Sequence, residues 1–372
     1  MTSRFRSGST LLWHLMRQLD AYVCFYEPCH DNLIEHISGD TPPQESHRGV
    51  RSYWDEYSPL FEKLKNLHKP EFGVGRLFLE KDEEYPALEQ YIRFFIEENK
   101  EKTGALHFNR MDFRLPWLRT KFPNARILHL FRNPRQQWLS MVRSLPRECW
   151  DQPDLNTNYE LLTWSISLSH QFPFLVGKNI QHSYERHYLI WRLSYLMAQA
   201  NSDLSLNYDD DFQKNPAQGV KKLLSFLHVS DSRAGELESQ IVSTPRHLES
   251  GREKLFQDAE TAGNDLLKKL GLDPDLGRKT LGQIVSEHKA EWQNLDKGTQ
   301  KRAIELSLNL FSEMRSSVLE LVAQLRSAGT RIQHETERRI AAEAQAQGIK
   351  EHAGSHSKKG DAFRKLRKML GF

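Results

Sequence analysis

Arg6, Ser7, Gly8, Ser9 and Thr10 stand directly ahead of Leu11, Leu12, Leu15, Met16 and Leu19, whose spacing is that of one helix face. A turn at Gly8 that opens a helix, with Ser7 and Ser9 as N-terminal hydroxyls, gathers unpaired backbone N–H groups at the positive end of the helix dipole. Arg6, Ser9 and Thr10 add charge and donors to the same spot. This is anion-binding chemistry, and a phosphate is the natural guest. A second set of groups of the same kind lies in ARILHLFRNPRQQWLS (125–140). There an apolar strand ends in Arg132, Pro134 starts a helix, and Ser140 falls eight residues after the arginine. An arginine leaving the C-terminal edge of a parallel strand and a serine on the following helix converge on one anion beside the first loop.

Holding two such groups side by side requires a sheet. AYVCFY (21–26), GALHFN (104–109), ARILHLFR (125–132) and DLSLNY (203–208) read as short strands. They alternate with helical patterns over 86–99, 134–145, 158–176, 185–199 and 217–227, which predicts an α/β fold of three α/β/α layers on a central parallel sheet. Residues 31–84 lack a sustained period and suit loops and short helices that roof a site. The expected division is a domain over 1–294, a long helical extension over 295–347, and a flexible linker with a basic amphipathic tail over 348–372. Ile304, Leu308, Phe311, Val318, Val322 and Leu325 follow alternating three- and four-residue steps, so the helix near 300–327 fits self-association into a homo-oligomer as well as packing back onto the domain. In the tail, Phe363, Leu366, Met369 and Leu370 share one face among basic residues; a solvated or locally docked segment is the reading, with peripheral membrane contact as its alternative.

Composition bounds the partners. The 372 residues are 38% apolar and 27% charged, with a net charge of +3, which gives no reason to invoke nucleic acid. The start has no charged region followed by a long apolar segment, so export lacks support. Cys24, Cys29 and Cys149 form neither a disulfide framework nor a metal-ligand pattern, which points to a reducing, cytoplasmic setting and a metal-free site.

A nucleotide triphosphatase loop, G-x-x-x-x-G-K-[ST], is the first rival and fits badly: aligned on Gly8 and Thr10, Ser3 replaces its first glycine and Ser9 its lysine. RFRSGSTLL (4–12) together with FPNARILHLFRNPRQQWLS (122–140) instead resembles the sulfotransferases that use 3′-phosphoadenosine 5′-phosphosulfate. LSLNYDDDFQKNPAQGVKKLLSFLHV (204–229) is similar to that family's later strand, Tyr-Glu-Asp-like turn and Pro-led helix, in the right order. The resemblance covers residues 1 to about 230. It implies that Arg6, Ser7, Gly8, Ser9 and Thr10 hold the 5′ end of this co-substrate, that Arg132 and Ser140 hold its 3′-phosphate, and that Tyr208 contacts the adenine.

Sulfuryl transfer needs a base for the acceptor hydroxyl, positive charge at the bridging oxygen and in-line geometry, without the metal that kinases use. Glu27 follows the strand YVCFY directly and precedes Pro28, at the sheet edge that carries sites. FYEPCHDNL (25–33) also resembles the Glu-Pro segment of carbohydrate sulfotransferases, so Glu27 is the expected base and Arg6 the catalytic cation. His30 and His107 compete for the base role; no histidine stands where the small-molecule branch keeps its own, and Arg110 falls near that place as a source of positive charge. These departures favour the carbohydrate and tyrosylprotein branch, hence a glycan or glycolipid hydroxyl as acceptor. A non-catalytic nucleotide-binding protein of the same fold is the alternative, ahead of a kinase-like NTPase. Two further departures are Phe5, where most relatives have proline, and the presence of only Met1, Thr2 and Ser3 ahead of the loop, where nearly all have a full apolar strand. The expectation is a sheet deprived of its central strand, through a recorded start downstream of the true one or an impaired fragment.

Overall fold

The four predicted strand runs form β2 (Tyr22–Tyr26), β3 (Thr103–His107), β4 (Leu128–Phe131) and β5 (Leu204–Asn207), and a further strand, β1 (Thr2–Ser3), precedes them. β2 pairs with β3 from Tyr22↔Thr103 to Tyr26↔His107, and β4 with β5 from Leu128↔Leu204 to Phe131↔Asn207, both parallel. β1 is two residues long yet has partners on both sides. It pairs in parallel with β4 at Thr2↔His129, and a bridge Thr2↔Phe108 ties it to the end of β3, with Ser3 N–H donating to Phe108 O (3.0 Å) and Phe108 N–H to Met1 O (2.9 Å). The resulting order is β2-β3-β1-β4-β5, so the central strand expected to be missing is short but paired. Its C-terminal end is the switch point at which connections leave to opposite sides, the usual place for a ligand in such sheets.

The structure, a computed structural model, describes residues 1–39, 52–99, 101–143, 161–176, 182–241 and 251–270, with 145, 147, 150, 180 and 272. All lie in one unit, Met1–Leu308; the other unit, Asn309–Phe372, lies outside the described residues, as do the expected extension (295–347), tail (348–372) and Cys149. Among the described residues no helix is long and apolar enough to cross a membrane.

Helices α1 (Ser9–Arg17), α2 (Leu33–Ser38), α3 (Phe61–Leu67), α4 (Glu71–Val74), α5 (Pro86–Glu97), α6 (Leu115–Lys121), α7 (Pro134–Val142), α8 (Leu161–Leu168), α9 (Ser183–Asn201), α10 (Pro216–Leu227), α11 (Ala234–Ser239) and α12 (Glu253–Lys269) clothe the sheet. Alternation along the strands decides which helix meets which face. Cys24, Leu128, Leu130 and Leu206 meet Leu11 and Leu15 of α1 and Val220 and Leu224 of α10. Phe25 points the other way, onto Phe95 of α5, and Phe131 meets Tyr195 of α9 at 4.9 Å between ring centroids. Within 31–84 the described residues 31–39 and 52–84 form short helices and turns, α2 to α4 among them, and the described part of the helix predicted over 158–176 is α8 followed by the 3-10 turn Pro173–Val176. α12 has no counterpart in the sequence reading. Its Phe256 is buried against Trp138 of α7 and Tyr184 of α9, and Glu260 receives both a bidentate contact from Arg135 (2.8 and 2.7 Å) and the Tyr184 hydroxyl.

Candidate active site

The loop between β1 and α1 reverses the chain through two residues at positive φ, Arg6 (+63°) and Gly8 (+93°), where an L side chain costs about 1–2 kcal/mol and glycine does not. Gly8 is required for a second reason. A Cβ there would fall 2.0 Å from Cδ2 of Tyr208, whose ring covers the loop. Gly8 itself is the residue at the helix N-terminus, and no side chain caps it. Ser7, expected as a capping hydroxyl, instead donates to Arg4 O (2.6 Å) and is fully buried, because the left-handed turn aims it inward. Thr10 Oγ1 lies 3.0 Å from the Tyr26 hydroxyl, which links the loop to the end of β2.

The second set of residues expected to bind an anion is assembled beside the first. Arg132 follows β4; its NH1 donates to Arg6 O (3.3 Å), its Nε to Asp209 Oδ1 (3.3 Å), and its guanidinium carbon sits 5.0 Å from the Tyr208 ring centroid. Ser140, on α7, accepts from Arg6 Nε at 3.1 Å. Arg6, Gly8, Arg132, Ser140 and Tyr208 therefore meet at one place, although 202 residues separate Arg6 from Tyr208. α7 begins with Asn133 as cap, its side chain accepting from the N–H groups of Arg135 and Gln136, and Gln137 Nε2 donates to Phe5 O, binding this helix to the loop.

Glu27 occupies the turn after β2 at φ +47°, a strained setting for a glutamate. Its N–H donates to His107 O (2.9 Å), which fixes it against the end of β3. The carboxylate is only 9% exposed and is held from both sides: Asn109 Nδ2 donates to Oε1 and Arg110 NH1 to Oε2 (3.2 Å). Ser3 donates to Asn109 Oδ1 (3.1 Å), so two hydrogen bonds run from β1 to the Glu27 carboxylate. Arg110 also reaches Asp31 (3.5 Å) and packs over Phe5 of the loop, 5.0 Å from its ring centroid.

Burial lowers both competing histidines. His107 is the last residue of β3 and 1% exposed; burial holds it well below the usual imidazole range, and Ser3 Oγ lies 3.2 Å from its Nε2. His30 is lowered to about 3, first by burial and then by the Arg110 charge, and its Nδ1 accepts from Asn32 N–H. Asn109 and Asp209 are not among the site residues expected from the sequence. Both follow a strand end, as Glu27 and Arg132 do, and that placement was the available signal.

A sequence model described as "Sulfotransferase family" matches residues 1–232. No curated protein matches the chain significantly.

Proposed function

The chain belongs to the sulfotransferase family, and from that membership we propose that it moves a sulfuryl group from 3′-phosphoadenosine 5′-phosphosulfate to a hydroxyl, on a sugar or glycolipid. The observation that carries the proposal is the meeting of Arg6, Arg132 and Ser140 at the uncapped head of α1: two guanidinium groups, a hydroxyl and backbone N–H donors suit a ligand with phosphate at both ends. When bound, the co-substrate supplies the sulfuryl group. Gly8, Ser9 and Thr10 hold its 5′ end while Ser7 fixes the loop from inside through Arg4 O, Arg132 and Ser140 hold its 3′-phosphate, and Tyr208 lies beside the adenine. Arg6 stabilises negative charge at the bridging oxygen as the S–O bond breaks. Glu27 accepts the proton of the acceptor hydroxyl as that oxygen bonds to sulfur, which leaves a sulfate ester and adenosine 3′,5′-bisphosphate. Asn109 and Arg110 fix the carboxylate so that little reorganisation is needed at that step. The carbohydrate acceptor rests on the Glu-Pro segment at Glu27 and Pro28 and on histidines that are buried or turned to other partners.

The test is incubation with donor labelled in its sulfuryl group and a panel of glycans, glycolipids, phenols and tyrosine peptides. Label on a glycan or glycolipid is the expected result. Transfer to phenols alone refutes the acceptor class, and tight nucleotide binding with no transfer to any acceptor refutes catalysis in favour of a non-catalytic nucleotide-binding protein.

A further inference from the structure

NYDDDF (207–212) carries three consecutive aspartates, and each has a different task. Asp210 pairs with Lys214 (2.7 Å). Asp211 accepts from Asn207 N–H (2.7 Å) and Lys222 Nζ (2.6 Å). Asp209 alone of the three turns to the anion site: Oδ1 accepts from Arg132 Nε, and Oδ2 accepts from the backbone N–H of Asn133 at 2.9 Å. Asp209 is itself anchored, its N–H donating to Asn207 Oδ1 (3.0 Å).

A guanidinium has five N–H donors in a planar fork, and which edge faces a ligand depends on which donors the protein has already engaged. Here Asp209 takes Nε and Arg6 O takes one NH1 donor, while the Tyr208 ring covers a face. Three donors are left for the oxygens of a tetrahedral anion, two on NH2 and one on NH1. A carboxylate beside an anion site also opposes anion binding by charge. The geometry favours the opposite outcome, since both oxygens of Asp209 are spent on the arginine and on the residue that starts α7.

We propose that Asp209 is a positioning residue for the 3′-phosphate: it fixes the Arg132 fork and the start of α7 in the orientation that recognises this group. The proposal rests on the assignment of Arg132 to the 3′-phosphate made above. It is tested by calorimetric titration of wild type, Asp209→Ala, Asp209→Asn, Arg132→Ala and the Asp209→Ala/Arg132→Ala double variant. The ligands are adenosine 3′,5′-bisphosphate and adenosine 5′-monophosphate.

Wild type prefers the bisphosphate by about tenfold or more, the scale of a charge-assisted hydrogen bond. Asp209→Ala loses most of this preference while its affinity for the monophosphate stays within about twofold, and the double variant matches Arg132→Ala. Asp209→Asn, which keeps one acceptor oxygen, falls between. An unchanged preference in Asp209→Ala overturns the proposal. A larger preference does so too, because it shows the carboxylate acting against the phosphate, and so does equal loss for both nucleotides, the mark of a merely structural residue. Absence of any preference in wild type refutes instead the placement of the 3′-phosphate, so the two failures are distinguishable.

Discussion

Gly8→Ala attacks the loop at its tightest point. The new Cβ meets the Tyr208 ring at 2.0, 2.2 and 2.8 Å, far inside any real contact, and three ring atoms rather than a flexible chain end must give way. Tyr208 is 3% exposed, and its ring lies in a core cluster with Leu11, Leu12 and Phe212, so it has no empty space to enter. Overpacking of this kind costs about 1–3 kcal/mol. The φ of +93° adds about 1–2 kcal/mol for a residue with a Cβ, giving roughly 2–5 kcal/mol in all. At about 2–4 °C per kcal/mol for a domain this large, Tm falls by at least about 4 °C. Displacement of the ring also disturbs Arg132, so affinity for adenosine 3′,5′-bisphosphate falls beyond what the stability loss explains. Calorimetric melting and titration on the same protein check both. A variant with unchanged Tm and wild-type affinity would refute the account of the loop as a close-packed cradle.

Glu27→Gln is expected to lower transfer by about a hundredfold to ten-thousandfold while leaving affinity for the bisphosphate near wild type, whereas His30→Gln and His107→Gln cost much less; steady-state rates on an identified acceptor decide between them. Glu260→Ala removes the acceptor of Arg135 and of the Tyr184 hydroxyl, so urea unfolding should show a loss of about 1–3 kcal/mol, and a midpoint equal to wild type would sink that estimate. His129 and His187 are both lowered to about 3 by burial, so the unfolded chain binds more protons than the folded one once pH drops below about 6.5. Their contribution to stability is therefore lost between pH 6.5 and 3, with Asp112, raised by burial, acting in the opposite sense; His187→Gln should flatten the acid limb of stability against pH.

Elements whose signal is local were legible in the sequence. The short strand-like runs and the Pro-led α5, α7 and α10 appear within three residues of the predicted bounds, because apolar spacing and φ restriction act over a few residues. Arg132 and Ser140 could be paired in advance because one strand and the following helix carry both. Ser7 could not be read, since its hydroxyl partner depends on the sign of φ at Arg6 and Gly8 rather than on residue type. Partnerships across the fold were equally hidden. Asn109 meets Glu27 82 positions away, Asp209 meets Arg132 77 positions away, and Arg135 meets Glu260 125 positions away, with nothing in the intervening residues to mark them. The short β1 carries too few residues for a periodic signal. Its two residues join the β2-β3 and β4-β5 ladders, with Phe108 and β4 flanking them.

The brace formed by α12 means that the recognisable part of this chain is smaller than the part that must fold. The family match stops at residue 232, whereas Phe256 and Leu267 are each no more than 1% exposed and belong to the packing of α7, α8 and α9. A protein cut at the edge of the match would carry raw apolar patches around Trp138, Tyr188 and Leu189, and Arg135 at the first turn of the Ser140 helix would lose its counter-ion. Surface of that kind drives aggregation. Expression boundaries and domain fusions for this protein therefore belong after residue 272, and mutations in α12 reach the Ser140 helix through Phe256 and Glu260.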